Sequence, residues 1–217
     1  MLLPEKQMKP ITIAKLIYDE NFKSVLSNLE LFRWSLQNTR DVVLCNEELL
    51  DEFEHLYESE KNVDDFGEKI SDVTDLMSQQ QFILVMSYYE YYLVYLKALV
   101  LRDNFEDDYS PSLQKYLLED SNSLKELAEK IDIANNKDLV NIHLEIREIR
   151  NALMHRDNKT KNDSINILKD FIDKNLYVII NYSKFIELIY KVNILVDKID
   201  LIVINKFPEL NIFKNTV

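Results

Sequence analysis

The sequence predicts an all-α protein, and three observations lead to this fold class. The chain of 217 residues contains 1 Gly and 4 Pro, so it has little material for the tight turns that join β-strands. Apolar residues make up 47% of the chain, which is enough for a sizeable buried core at this length. Along most of the chain these residues recur at three- and four-residue steps, the spacing of helices that bury one face.

The first third of the chain is predicted to be a helical extension. Apolar residues within 11–38 recur at helical spacing, which predicts one long helix with Asn21 as the place where a break would fall. Trp34, near the end of this helix, is interpreted as a packing residue. Residues 45–60 are predicted to form a second, acidic helix. The short acidic loop 62–67, which holds the only glycine, then marks the best boundary to the next domain.

A long helix is predicted from Lys69 to about Arg102. It is apolar and aromatic on nearly all sides, so it belongs at the centre of a domain or at a subunit interface. Its tyrosines are interpreted as core or interface residues rather than as a platform for nucleic-acid bases. Because one small domain would not easily cover such a helix, the sequence predicts a homodimer.

Glu90 is the unusual residue of that helix. An ionised carboxylate in apolar surroundings is costly unless it is paired. Arg150 and Arg147 are the candidate partners, and Glu90 would then support the site to which they belong. The alternative is a partly exposed Glu90 that contacts water or a tyrosine hydroxyl.

Two short helices should follow the long one. Ser110 and Pro111 have the pattern of an N-cap followed by proline at the first helical position. Ser123 and Glu126 have the spacing of a capping box, which starts a further helix that runs to about Ile131.

The next helix carries the residues of greatest interest. Its buried stripe is formed by Leu139, Ile142, Ile146, Ile149 and Leu153. At ~100° per residue, Asn151 and His155 fall nearly opposite this stripe, so both should face solvent or an interface. The polar, basic segment 156–163 predicts that the helix ends close to His155. An unbroken helix would place Arg150 and His155 ~7.5 Å apart along the axis, so either the last turn unwinds or a second copy of the motif completes the site.

The remainder of the chain is predicted to be helical from 164 to 207, in two segments. Residues 176–180 and 201–204 favour β-structure, but no obvious turn separates them from their neighbours, so helix is preferred. The predicted organisation is a helical extension over 1–62, a core domain over 63–207 and a tail over 208–217.

Composition excludes several classes of protein. With Gly67 as the only glycine, the chain lacks the glycine-rich loops that bind nucleotides and dinucleotides. The lone Cys45 has no partner for an intrachain disulfide, which predicts a reducing compartment. The apolar stretch 82–101 contains Glu90 and Lys97, so it is a buried helix rather than a membrane span. Together with the polar N-terminus, these features predict a cytoplasmic protein without a cofactor.

The charge distribution predicts a small basic patch on an acidic protein. A net charge of −12 disfavours non-specific binding to a polyanion. Between residues 147 and 161, however, the basic residues outnumber the acidic ones: Arg147, Arg150, Arg156, Lys159 and Lys161. This local patch fits a defined RNA contact, and it would also fit an acidic partner protein.

The three polar residues of the stretch 150–155, Arg150, Asn151 and His155, resemble the Arg-x4-6-His signature of the HEPN superfamily, in which a polar residue often follows the Arg. The resemblance covers about residues 70–205 and implies a HEPN-like helical bundle that usually dimerises. Many members of this superfamily are metal-independent endoribonucleases of toxin–antitoxin, phage-defence or RNA-processing systems. Others have lost activity and serve as binding modules.

The leading functional hypothesis is a metal-independent endoribonuclease. His155 would transfer protons, because the ordinary pKa of imidazole, ~6.5, suits that role at neutral pH. Arg150 would stabilise charge on the phosphoryl oxygens, and Asn151 would orient the phosphate or the histidine. Arg147, Arg156, Lys159 and Lys161 would bind the RNA.

Two alternatives stay open at this point. One is a non-catalytic HEPN-like dimer that acts as a binding or regulatory module, with an antitoxin of the nucleotidyltransferase type as its partner. The other is an all-α interaction protein in which the motif has arisen by chance.

Overall fold

The computed structural model describes residues 10–44, 63–101 and 127–213, and these residues are mainly helical. The longer helical segments are α1 (Ile13–Leu44), α2 (Val63–Leu101), α3 (Lys137–His155) and α5 (Tyr182–Lys206), with α4 (Ile165–Leu168) as a single short turn. Within the described ranges there is no strand, only two isolated β-bridges. The predicted all-α class is therefore confirmed.

Several predictions fall outside the described residues. These are the acidic helix at 45–60, the N-cap at Ser110 and the capping box at Ser123. Among the residues that the structure describes, no helix is long and apolar enough to cross a membrane.

Three of the helices begin at a side chain that caps them. The side-chain oxygens of Thr12, Asn136 and Asn181 accept the backbone N–H three residues further on, at 3.1, 3.3 and 2.9 Å. Ser, Thr, Asn and Asp at this position satisfy a backbone donor that the helix itself leaves unpaired. The cap at Asn136 marks the start of α3.

The chain divides into two compact units. The first takes in the described parts of Met1–Phe22, Met86–Arg147 and Tyr190–Val217. In its core the rings of Tyr18 and Tyr92 lie 5.9 Å apart, and the Tyr18 hydroxyl donates to Asn193 Oδ1 at 2.9 Å. Buried tyrosines of this kind supply apolar area while their hydroxyls find polar partners.

A buried carboxylate fixes the start of α1 within this first unit. Asp200 is 1% exposed and accepts hydrogen bonds from the backbone N–H and the hydroxyl of Thr12, at 3.1 and 2.5 Å. Burial raises the pKa of the Asp200 carboxyl, and the bonds from Thr12 oppose that rise. The same segment is held from the C-terminal side, where the N–H of Ile212 donates to the carbonyl of Ile11 at 3.1 Å.

The second unit takes in the described parts of Lys23–Val85 and Glu148–Ile189. Asp75 accepts the N–H of Tyr182 at 3.2 Å, and the guanidinium of Arg33 lies 4.0 Å from the centre of the Tyr182 ring. These contacts hold the start of α5 within the unit. Its fully buried side chains include Phe82, Val85, Ile149, Ala152, Leu168, Phe185 and Leu188.

The prediction of helix throughout 164–207 is wrong for residues 169–181. There the chain makes antiparallel bridges between Ile172 and Val178 and between Lys159 and Tyr177. The physical reason is a turn at Asp173. One carboxylate oxygen of Asp173 accepts the N–H groups of Asn175 and Tyr177, each at 2.8 Å, and such Asx turns compete with helix.

Three smaller expectations for α1 and α2 also need correction. Helix α1 is unbroken at Asn21, whose side-chain amide donates to the Ile17 carbonyl at 3.0 Å. The loop predicted over 62–67 is helical from Val63, because a single glycine costs only about 1 kcal/mol in a long helix. Trp34 is exposed and is not a packing residue.

The burial of α2 bears on the predicted homodimer. Consecutive residues 92–94 and 96–98 are all buried in the single chain, so the chain itself covers this helix on several sides. The dimer stays a prediction, but the apolar circumference of α2 no longer supports it. Exposed apolar side chains occur instead on α5, where Tyr190, Ile194 and Leu201 lie on the surface.

Candidate functional site

The candidate site lies at the C-terminal end of α3, in the second unit. Ile149 and Ala152 are fully buried and anchor this end of the helix in the core. Arg150 and Asn151 are half-buried, whereas His155 is exposed at the last helical position. The predicted solvent exposure of His155 is therefore confirmed.

The structure brings the three motif residues together. The Nη1 group of Arg150 donates to Asn151 Oδ1 at 3.2 Å and lies 3.4 Å from Nε2 of His155. A guanidinium has only donors, so a hydrogen bond between these two groups requires that Nε2 carries no proton. In that tautomer the ring proton is on Nδ1, and the lone pair of Nε2 is directed at Arg150.

The helix does not unwind to make this contact. Helix α3 continues through His155, so the backbones of Arg150 and His155 are still separated along the axis. The long, flexible side chain of Arg150 spans that distance. Of the two arrangements considered from the sequence, unwinding does not occur, and a second copy is not needed to bring the arginine and the histidine together.

The chain reverses directly after His155. Asp157 and Asn158 adopt left-handed backbone conformations, with φ of 46° and 64°, which Asp and Asn tolerate better than most residues. The N–H of Asn158 donates to the carbonyl of Ala152 at 3.1 Å. This reversal ends the helix and satisfies one of its last carbonyl groups.

Arg156 is held against α3 rather than directed at solvent. Its guanidinium contacts Glu148 at both the side chain, 3.1 Å, and the backbone carbonyl, 3.3 Å. Ser164 donates to the same Glu148 oxygen at 2.9 Å. The Arg156 side chain is only 16% exposed. Arg156 therefore connects the segment after His155 to α3. It was predicted to be a direct contact to RNA.

Glu148 is kept ionised by this network. Burial by itself raises the pKa of the carboxyl, but the hydrogen bonds from Ser164 and Arg156 and the charge of Lys161 outweigh it. The net result is a Glu148 pKa below its ordinary value, so the ion pair with Arg156 persists at neutral pH.

The other predicted site residues lie in different surroundings. Lys159 and Lys161 are exposed on the segment that follows His155. Arg147 is also exposed, but it belongs to the first unit. Glu90 is half-buried, and its pairing with Arg147 or Arg150 stays a prediction.

His143 was not among the predicted site residues, and the structure places it in a distinctive environment. Its Nδ1 lies 2.9 Å from the Tyr89 hydroxyl. Burial, and to a lesser degree the charge of Arg147, lower the pKa of His143 to about 4. The position could have been found from the pattern, because residue 143 lies four after Leu139 and three before Ile146 on the buried stripe.

Comparisons with protein-family models, with curated proteins and with solved structures gave no match.

Proposed function

We propose that this protein is a metal-independent endoribonuclease of the toxin–antitoxin or phage-defence type, built as a HEPN-like helical bundle. The observation that supports the proposal is the contact of Arg150 with both Asn151 and His155 at the exposed end of α3. A guanidinium and an imidazole side by side are the groups that RNA cleavage needs, one to stabilise charge on the phosphoryl oxygens and one to transfer a proton.

In the proposed reaction, Arg150 turns its planar fork to the non-bridging oxygens of the phosphate, and the Nε2 lone pair of His155 is released. That lone pair accepts the proton of the ribose 2′-hydroxyl, and the 2′-oxygen attacks phosphorus. The new O2′–P bond forms as the P–O5′ bond breaks, and the departing 5′-oxygen takes a proton from water. The products are a 2′,3′-cyclic phosphate and a 5′-hydroxyl end.

The neighbouring residues have supporting roles in this proposal. Asn151 positions Arg150, because its side-chain oxygen accepts from Nη1. Arg156 positions the segment after His155 through Glu148, which is a change from the direct RNA contact first expected. Lys159, Lys161 and Arg147 remain the proposed contacts to RNA phosphates.

The test is cleavage of total RNA by the purified protein, with and without EDTA. His155→Ala and Arg150→Ala should each lower the rate by ~10²- to 10⁴-fold, the usual range for a lost proton-transfer or charge-stabilising group. Lys198→Ala, which removes an exposed cation of the first unit, is the matched control and should leave the rate unchanged. Full activity of His155→Ala, or activity that depends wholly on Mg²⁺, would contradict the mechanism and favour a non-catalytic binding module.

Mixing the two inactive variants tests where the working pair resides. Arg150 and His155 of one chain are in contact, so a mixture of His155→Ala and Arg150→Ala proteins should stay inactive. Recovery of activity on mixing would mean that a homodimer builds each site from two chains. Light scattering at micromolar concentration tests the proposed homodimer itself, and co-purification tests an antitoxin partner.

A further inference from the structure

The antiparallel bridge between Lys159 and Tyr177 brings the side chains of these two residues close together. The flanking residues make the hydrogen bonds, from Thr160 N–H to the Leu176 carbonyl at 2.8 Å and from Val178 N–H to the Asn158 carbonyl at 2.7 Å. Lys159 and Tyr177 are therefore a non-hydrogen-bonded antiparallel pair, the class with Cα atoms about 4.5 Å apart and the closest side chains. Both side chains project from the same face.

That face is the solvent side of the second unit. Tyr177 is 43% exposed and Ile179 is exposed as well, whereas the alternate residues Val178 and Ile180 are buried. Lys159 is exposed beside Tyr177. Among the described residues, no other aromatic ring stacks on that of Tyr177. An aromatic ring and an ammonium group are thus presented together to solvent.

The pair is held rigidly. The Asp173 carboxylate fixes the N–H of Tyr177 at 2.8 Å, and Asp173 N–H donates to the Tyr177 carbonyl at 2.9 Å. With the buried neighbours Val178 and Ile180, these bonds leave the backbone under the ring little freedom. A preformed surface loses less entropy when a ligand binds than a flexible one does.

The pair also lies close to the candidate site. Lys159 follows His155 by four residues, a length of chain that spans at most ~14 Å, and the left-handed reversal at Asp157 and Asn158 shortens the path. The pair and the candidate site are therefore close enough for one short single strand of RNA to contact both.

We propose that Tyr177 and Lys159 form a nucleotide-binding subsite that takes an unpaired base of single-stranded RNA next to the Arg150–His155 site. The base stacks on the Tyr177 ring, and the Lys159 ammonium binds a neighbouring phosphate. This inference rests on the proposed function. A stacking surface accepts any base, because every base has a π face, but it cannot accept a base that is paired within a duplex.

The experiment measures binding of a single-stranded 2′-O-methyl 12-mer, which lacks the attacking hydroxyl, by fluorescence anisotropy with the full-length chain. Tyr177→Ala should weaken binding by about 5- to 150-fold, the effect of losing one stacked base, and Tyr177→Phe should bind like the wild type. Tyr177→Leu keeps apolar bulk without a π face and should resemble Tyr177→Ala. The matched control is Tyr190→Ala, at a tyrosine of the first unit that is 69% exposed, and it should have no effect.

Lys159 is tested by the salt dependence of the same binding. Lys159→Gln should reduce the slope of log Kd against log salt by about 0.7, the value for one phosphate contact to a single strand, whereas Lys198→Gln should not. A blunt duplex of the same sequence should bind wild type and Tyr177→Ala equally.

The outcomes separate this inference from the proposed function. If the wild type binds or cleaves RNA while Tyr177→Ala behaves like Tyr190→Ala, the subsite is refuted and the ribonuclease proposal stands. The same holds if Tyr177→Leu binds like wild type, since apolar packing would then suffice. If the wild type neither binds nor cleaves RNA, both proposals fail together.

Discussion

Acid should destabilise this protein through His143, and replacement of that residue should remove the effect. The Tyr89 hydroxyl lies 2.9 Å from Nδ1 of His143, and burial raises the pKa of Tyr89, so the phenol keeps its proton and forms a hydrogen bond with the imidazole. Protonation of His143 would place a charge in a buried site and, as a smaller effect, beside the charge of Arg147. Both effects make protonated His143 less stable in the folded protein than in the unfolded chain.

The magnitude follows from the pKa values of the two states. The pKa of His143 is about 4 in the folded protein against an ordinary 6.5. As the pH falls, the unfolded chain is therefore protonated at His143 before the folded protein is. The stabilisation is therefore fully present above pH 6.5 and is lost progressively towards pH 4. Between pH 7.5 and 5.0 the loss should be about 2 kcal/mol.

Urea unfolding followed by circular dichroism at the two pH values measures this difference. His143→Gln, which can still form a hydrogen bond with Tyr89 but does not titrate, should lose about 2 kcal/mol less than the wild type over the same interval. Lys198→Gln replaces an exposed side chain of the first unit that does not titrate in this interval, and it should follow the wild type. An identical pH dependence in His143→Gln and wild type would refute the reasoning.

Three further predictions address other parts of the protein. Arg156→Ala should lower the free energy of unfolding by about 1–3 kcal/mol, because it breaks a charged, partly buried network; a change within 0.5 kcal/mol in urea unfolding would contradict this. Thr12→Val removes a helix cap and a donor to the buried Asp200, so thermal melting should show a loss of about 2–3 kcal/mol, and an unchanged melting temperature would argue against the network. Asn151→Ala should slow RNA cleavage far less than His155→Ala, and an equal loss would assign Asn151 a catalytic role.

The sequence predicted the helices well where one face is apolar and the ends carry recognisable signals. Helix α3 ends at His155, as expected, because the polar segment after residue 155 is a local feature of the sequence. The segment 169–181 was missed for a physical reason. Its turn depends on the Asp173 carboxylate, and without a recognised turn the β-favouring residues at 176–180 were assigned to helix.

The candidate site was predictable in its residue types but not in its contacts. Arg150, Asn151 and His155 could be selected from the motif, whereas the reach of the Arg150 side chain along a continuous helix could not be inferred from axial spacing alone. Arg156 was predicted to bind RNA because its partner Glu148 lies eight residues earlier, too far along a helix for the pair to be recognised from the sequence. That contact forms only because the chain reverses at Asp157 and Asn158.

The measurement that tests the central claim most directly uses a short RNA with one cleavage site, incubated with the wild-type protein in EDTA. If His155 and Arg150 promote attack by the ribose hydroxyl, the upstream product carries a 2′,3′-cyclic phosphate, and a single 2′-deoxy substitution at the cleaved nucleotide abolishes cleavage there. Cleavage that continues at the 2′-deoxy position, or products that end in a 3′-hydroxyl, would contradict the mechanism proposed for Arg150 and His155.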